Sequence, residues 1–352
     1  MNAEFTKKLL EWNLNRNRRS MPWKGETDPY RIWLSEIILQ QTRVEQGRAY
    51  YERFILRYPT VRDLANAPLD QVYKLWEGLG YYTRCKNLHE TARIITNTYN
   101  GRFPSTYNEI LQLKGIGPYT ASAIASFAFK LPYAVVDGNV QRVLSRYFGI
   151  NTPIDSSDGK KLYSELAQAL LDTSDPGNYN QAIMDFGATI CKPQNPLCDE
   201  CVQKSDCQAF AHGWVNELPV KEKMLVKKTR WFNYFVLELD ESVYIRQRNG
   251  KDIWTNLYEF ILHESDNSLV TNTVNLDRQL QDCVGHSGFA ISDISKPYKQ
   301  QLTHQTILGQ FIKVELQKPL SHPSTILVPK KRLPEYAFPK MVNLYLSDRE
   351  EN

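Results

Sequence analysis

Two carboxylates and one knot of thiols stand out in the sequence. Glu36 lies in Asp28-Pro-Tyr-Arg-Ile-Trp-Leu-Ser-Glu-Ile-Ile-Leu-Gln-Gln-Thr42, a segment apolar around most of a helical circumference. Glu36 and Gln40, at i and i+4, therefore share a narrow polar stripe. If that stripe lines a cleft, desolvation disfavours the charged carboxylate and raises its pKa, as a general acid working near neutral pH requires. A solvent-facing stripe continued by Arg43 reads equally well. Asp137, in Val136-Asp-Gly-Asn139, sits where a helix begins and reads as an ordinary N-cap or as a second acidic group. Ahead of it runs Leu113-Lys-Gly-Ile-Gly-Pro-Tyr-Thr-Ala-Ser-Ala-Ile124. Gly115 and Gly117 allow a tight hairpin whose N–H groups can face a phosphate, and the helix beyond Pro118 adds its positive end. The plainer reading is a Gly-x-Gly-Pro joint between two helices. Handling a nucleic-acid backbone while breaking a glycosidic bond would need both the hairpin and the acids.

The thiols are Cys191, Cys198, Cys201 and Cys207, four of the chain's six cysteines. So compact a group in a reducing compartment holds a metal centre. Zinc is one candidate, but four-thiolate zinc sites pair two short knuckles, and here a single Cys-x2-Cys has longer outer spacings. An iron–sulfur cluster suits the pattern better. Cys85 and Cys283 stand apart and read as small buried thiols.

The elements that must position these groups divide by texture. The chain has 352 residues, enough for about two domains. Up to about Phe210 apolar residues recur at helical spacing, with turn signals such as Ala67-Pro68, Phe103-Pro104 and Gly149. A charged stretch around Leu218-Pro-Val-Lys-Glu-Lys-Met-Leu-Val-Lys-Lys228 reads as a linker. Beyond it Trp231–Leu239, Val243–Arg246, Tyr258–Leu262 and Phe311–Leu316 read as strands of a second, α+β domain. The formal charge of +4, from 43 basic and 39 acidic residues, permits a nucleic-acid partner without demanding one. The first residues form a charged amphipathic helix rather than a signal peptide, and no run is apolar enough to span a membrane, so a cytoplasmic, nucleoid-associated location is expected.

Taken in order, these segments resemble the adenine DNA glycosylases of the MutY family, within the helix-hairpin-helix glycosylase superfamily. The resemblance covers nearly the whole chain. It rests on Arg19-Ser-Met-Pro-Trp23, Trp33–Thr42, Gly78-Leu-Gly-Tyr-Tyr82, the hairpin, Val136-Asp-Gly-Asn139, Asn180-Gln-Ala-Ile-Met-Asp-Phe-Gly187 and the cysteine loop. It implies a mainly α two-subdomain glycosylase region over 1–212: a six-helix barrel at about 28–135, and a cluster subdomain of 1–27 with 136–212. A linker over 213–229 and a Nudix-like 8-oxoguanine recognition domain over 230–346 would follow. By the same resemblance Glu36 protonates the adenine and Asp137 stabilises the oxocarbenium-like sugar, like the two carboxylates of a glycosidase. Tyr119 stands where lyase relatives carry a Schiff-base lysine and would hydrogen-bond Asp137, with Asn139 placing the attacking water. Gln41, Leu79 and Tyr81 would be inserted at the lesion, and Arg19 and Gln181 would lie near the flipped base. Leu79 and Tyr81 also read as core packing, and Gln181 as a surface amide.

Three departures matter. Lys114 occupies a place where relatives often carry proline, which as the nearest amine would allow residual strand cleavage. Leu302-Thr303-His304 aligns with the family's Phe-Ser-His lesion-reading loop, keeping a hydroxyl and losing a ring. No Arg-Glu-x-x-x-Glu-Glu run occurs after Trp231, so no pyrophosphatase activity is expected. The resemblance thus implies a monomeric, monofunctional enzyme with a [4Fe-4S] cluster, acting on double-stranded DNA with adenine opposite 8-oxoguanine or guanine. A bifunctional endonuclease III-like glycosylase/lyase, a thymine-excising relative and a non-catalytic mismatch-binding protein are the alternatives.

Overall fold

The computed structural model describes residues 2–222, 227–271, 273–285, 288–320 and 324–350. They form two compact units, one of residues 2–67 with 87–222, the other of 68–86 with 227–350. The helices in chain order are α1 Asn2–Asn15, α2 Pro29–Leu39, α3 Val44–Arg57, α4 Val61–Asn66, α5 Leu69–Trp76, α6 Tyr82–Thr98 and α7 Tyr107–Gln112. They continue as α8 Pro118–Phe129, α9 Gly138–Phe148, α10 Ser157–Leu170, α11 Pro176–Thr189 and α12 Gln208–His212.

Local sequence explains where the site-bearing helices of the first unit begin. Asp28 caps α2 through Tyr30 N–H with proline at the first turn, and Asp137 caps α9 through Val140 N–H. Gly117 and Pro118 start α8. Phe5, Leu9 and Trp12, at helical spacing on α1, are buried with Tyr163, Leu170, Tyr179 and Phe186 of α10 and α11, and Trp12 meets Phe186 edge-on at 5.0 Å. That core fixes α9 and α11, which carry one wall of the site.

The second unit is built on a mixed eight-stranded sheet. Its strands are β1 Lys228–Leu239, β2 Ser242–Gln247, β3 Tyr258–Glu259, β4 Ile261–Ser265, β5 Phe289–Ile294, β6 Tyr298–Gln301, β7 Gln305–Leu316 and β8 Ile326–Pro329. Central β1 runs parallel to β7 from Lys228↔Gln305 to Glu238↔Glu315 and antiparallel to β2 and β4. Alternation along the strands feeds two cores. Phe235, Leu237, Ile312 and Val314 pack with Leu276 and Leu280 of α13 (Thr273–Val284). Phe311 instead stacks on Tyr345 of α14 (Lys340–Glu350), rings 4.1 Å apart and 7° from parallel.

Two features depart from the texture of the sequence. Residues 68–86 group with the strand-rich unit rather than with their sequence neighbours. Lys74 Nζ donates to Tyr336 O at 2.9 Å, Glu77 accepts from Phe338 N at 2.7 Å, and Tyr73 OH meets Asn256 Nδ2 at 2.9 Å. The charged stretch expected to be a free linker is also tied down over its first part. Leu218 O accepts from the Arg146 guanidinium, Val220 O from Ile154 N, and Glu222 N donates to Asp155. Residues 223–226 of that stretch lie outside the described residues.

Candidate active site

A cavity of about 790 Å³ opens in the helical unit, and Arg19, Glu36, Gln41, Tyr119, Asp137, Asn139 and Gln181 all line it. Segments separated by more than a hundred residues converge there because α2 packs on α8, α8 on α11 and α11 on α9. Glu36 faces the cavity and not solvent: it is 8% exposed, so the polar stripe of α2 is the cleft-lining kind. Burial pushes its carboxyl up to about 7, the Tyr119 hydroxyl that hydrogen-bonds it opposes the shift, and the charge of Asp137 adds to it. Tyr119 is held well above the usual phenol range by burial and by both carboxylates, so it stays a protonated donor.

The Tyr119 hydroxyl donates to the Met184 sulfur at 3.5 Å and lies near enough to Glu36 to hold its pKa down, while Asp137 is linked to it through charge. Asp137 is held instead by its own helix. Oδ1 accepts from Val140 N at 2.8 Å and Oδ2 from Asn139 Nδ2 at 2.7 Å, so one residue both caps α9 and lines the cavity. Burial raises its pKa, and these two donors and Arg142 oppose the rise.

Residues the sequence reading passed over fix this geometry. Arg142, buried on α9, donates to Asn139 Oδ1 at 2.9 Å, Gly187 O at 2.7 Å and Cys191 O at 2.8 Å, so Asn139 must turn its amide nitrogen to Asp137. A Cβ at Gly187 would stand 2.7 Å from Asn139 Cβ and 3.0 Å from its carbonyl oxygen, so only glycine lets α11 approach α9 here. Asn180, fully buried, accepts from Val135 N and donates to Tyr133 O and Ser126 Oγ, anchoring the segment that leads into Asp137. Asp185 gathers Asn17, Arg19, Lys24 and Gln181 around its carboxylate. Both Asn180 and Asp185 are fully buried, but their helix also carries Asn178, Gln181 and Thr189, so polarity alone did not mark them in the sequence.

The hairpin stands between α7 and α8 with Gly115 at φ +77°, where a side chain would be strained and its Cβ would stand 2.8 Å from Asn87 Cβ. Lys114 beside it is ion-paired with Glu90 and does not line the cavity. The amines that do are Lys24, paired with Asp185 at 2.9 Å, and Lys130, which corrects the expectation that Lys114 is the nearest. In the second unit Leu79 is buried and Tyr81 is exposed at φ +50°. The Tyr81 hydroxyl hydrogen-bonds Thr303 Oγ1, in the turn closed by Leu302 N to Gln305 O, and His304 O accepts from Lys228 N.

Cys191, Cys198, Cys201 and Cys207 are free thiols ringing one apolar cavity. Among the described residues no three histidine, cysteine or carboxylate side chains converge as ligands of one metal ion. Arg146, 3% exposed, turns its guanidinium to Cys191 Sγ at 3.5 Å and to the carbonyls of Lys192 and Pro193. A buried cation against this loop suits an anionic occupant held by thiolates.

The helical fold, the glycine hairpin and the paired acids define the HhH-GPD superfamily of base excision DNA repair proteins, whose family model matches residues 34–169. Over 258 residues the chain is 38% identical to the adenine DNA glycosylase of Buchnera aphidicola subsp. Baizongia pistaciae, covering 73% of each chain. It is 44% identical over 227 residues to the adenine DNA glycosylase of Rattus norvegicus, covering 61% of this chain and 44% of the rat one. A solved thermostable thymine-DNA glycosylase is 32% identical, with a TM-score of 0.56, over 60% of this chain and 97% of its own. The chain belongs to the adenine DNA glycosylase family. No helix among the described residues is long and apolar enough to cross a membrane.

Proposed function

We propose that this protein is a monofunctional DNA glycosylase of base excision repair that hydrolyses the N-glycosidic bond of adenine mispaired with 8-oxoguanine or guanine. The observation that carries the reading is the convergence of Glu36, Tyr119 and Asp137 on one cavity, with Glu36 poised at about 7. Glu36 in its acid form donates a proton to the flipped base, so that adenine leaves neutral, a contribution of about 10² to 10⁴ in rate. Asp137, held by Val140 N and Asn139, sets a negative charge against the developing oxocarbenium sugar. Asn139 places the water that completes hydrolysis, and Tyr119 keeps the Glu36 carboxyl oriented.

The hairpin at Gly115 and Gly117 binds the DNA backbone, and Gln41 and Leu79 act at the opened base pair. Tyr81 and Thr303, joined by their hydroxyls, read the partner base with His304. The thymine-DNA glycosylase likeness covers only 60% of the chain, and the strand-rich unit is what this reading assigns to the oxidised partner. The reading includes no strand cleavage, since Tyr119 stands at the lyase-amine position and Lys114 and the cavity's Lys24 are ion-paired with Glu90 and Asp185, which leaves Lys130 as the cavity amine a lyase would have to use. Cys191, Cys198, Cys201 and Cys207 would hold a [4Fe-4S] cluster, which would brace the loop beside α9; a brown colour lost in Cys198→Ser would mark it, whereas a zinc site is colourless.

The test is a labelled duplex with adenine opposite 8-oxoguanine, analysed with and without hot alkali. Breakage of the adenine strand only after alkali is the expected result. Breakage without alkali would contradict monofunctional chemistry, and binding without breakage would leave only a mismatch-binding protein.

A further inference from the structure

Asp185 is fully buried on α11, one helical turn beyond Gln181. Its Oδ1 accepts from Gln181 Nε2 at 2.9 Å and Arg19 Nη1 at 2.8 Å; its Oδ2 accepts from Asn17 Nδ2 at 2.8 Å and Lys24 Nζ at 2.9 Å. An ionised carboxylate is acceptor-only with about four lone-pair sites, so this one is saturated by four donors and its charge is met by two cations. Arg19, Lys24 and Gln181 all line the cavity, while Asp185 does not.

The consequence falls on Gln181. Its amide nitrogen is turned toward Asp185, which takes one of its two N–H groups, and no described hydrogen bond uses its carbonyl oxygen, so that oxygen is the acceptor it has left for the cavity. An acceptor complements a base with an exocyclic amine, as adenine has at its 6-position, and repels one with an oxygen there. We propose that Asp185 is a positioning residue that locks the Gln181 amide in this orientation and thereby makes the pocket select 6-amino over 6-oxo purines. The inference rests on the function proposed above.

Asp185→Asn turns one oxygen into a donor while keeping the shape. Arg19 and Lys24 are donors only and cannot adapt. Asn17 is locked by further bonds, its Oδ1 accepting from Arg19 N at 3.0 Å and its Nδ2 donating to Asn13 Oδ1 at 2.7 Å. Gln181 has no described bond besides that to Asp185 and is the amide free to turn, which would present its nitrogen to the base.

The experiment compares single-turnover release of adenine and of hypoxanthine from otherwise identical duplexes, with duplex affinity measured alongside. The wild-type protein should favour adenine, and failure to release any would remove the function reading and this inference with it. In Asp185→Asn the adenine-to-hypoxanthine ratio should fall about 10-fold or more, the scale of one base-edge contact, with affinity for the duplex not weakened. Gln181→Leu, which removes the acceptor without adding a donor, should also lower the ratio though by less, and the double variant should match Gln181→Leu. An unchanged ratio in a folded Asp185→Asn would overturn the proposal and leave a structural ion cluster. Should that variant fail to fold, an unchanged ratio in Gln181→Leu overturns it alone.

Discussion

At the scale of single residues the proposed chemistry turns on where Glu36 holds its proton. A carboxyl at about 7 is protonated below that pH, so the single-turnover rate of base release should be flat in mildly acidic buffer and fall about tenfold per unit above it. The Tyr119 hydrogen bond lowers that value, so in Tyr119→Phe the limb should move to higher pH; a limb that stays put or moves down would contradict the pairing. The same residue costs stability. Unfolded, Glu36 ionises near 4.5, while folded it keeps its proton to about 7, so its contribution is full below the lower value and is lost as pH rises through the upper one. Glu36→Gln should therefore melt at a higher temperature than the parent above pH 7, with no such gain at pH 4. That Glu36 was acidic, alone on an apolar helix and followed by Gln40 was legible in the sequence. Which way the stripe faced was not, because periodicity gives a face but not its neighbour. Asp185 was harder to see, since its partners at 17, 19 and 24 meet it only after α1 docks on α11.

At the scale of elements, catalytic placement depends on how closely α9 and α11 approach. Gly187→Ala would put a methyl 2.7 Å from Asn139 Cβ and 3.0 Å from its backbone oxygen, which cannot yield as a flexible side chain would. Overpacking of this kind costs about 1–3 kcal/mol, and the displaced Asn139 should also slow base release; denaturant melts and single-turnover rates check the two separately. Arg142→Gln should slow release by freeing Asn139 while leaving the Glu36 limb in place. The starts of α8 beyond Pro118 and of α9 at Asp137 were legible from local cap signals, and α2 from its apolar circumference. The strands β5 and β6 were not, because Phe289–Ile294 and Tyr298–Gln301 are largely exposed and lack the continuous buried run that marks β1 and β7. They gain definition only by pairing with β7.

At the scale of the whole molecule the chain is two units that interleave in sequence. Residues 68–86 belong by packing to the strand-rich unit, a topological fact that no local pattern carries. A chain ended at Glu222 removes Asn256, Tyr336 and Phe338, which hydrogen-bond Tyr73, Lys74 and Glu77. Limited proteolysis should then cut within α5, where the full chain resists. Because Thr303 is lost with that unit, the preference for 8-oxoguanine over guanine should shrink while adenine is still released opposite guanine. An undiminished preference would detach lesion reading from the sheet unit. The most direct measurement is single-turnover release of free adenine from a duplex pairing it with 8-oxoguanine, wild type beside Glu36→Gln. Release by the wild type and loss of at least about a hundredfold in the variant, with duplex binding intact, is the expected result. Equal rates in both proteins would contradict Glu36 as the acid and the mechanism built on it.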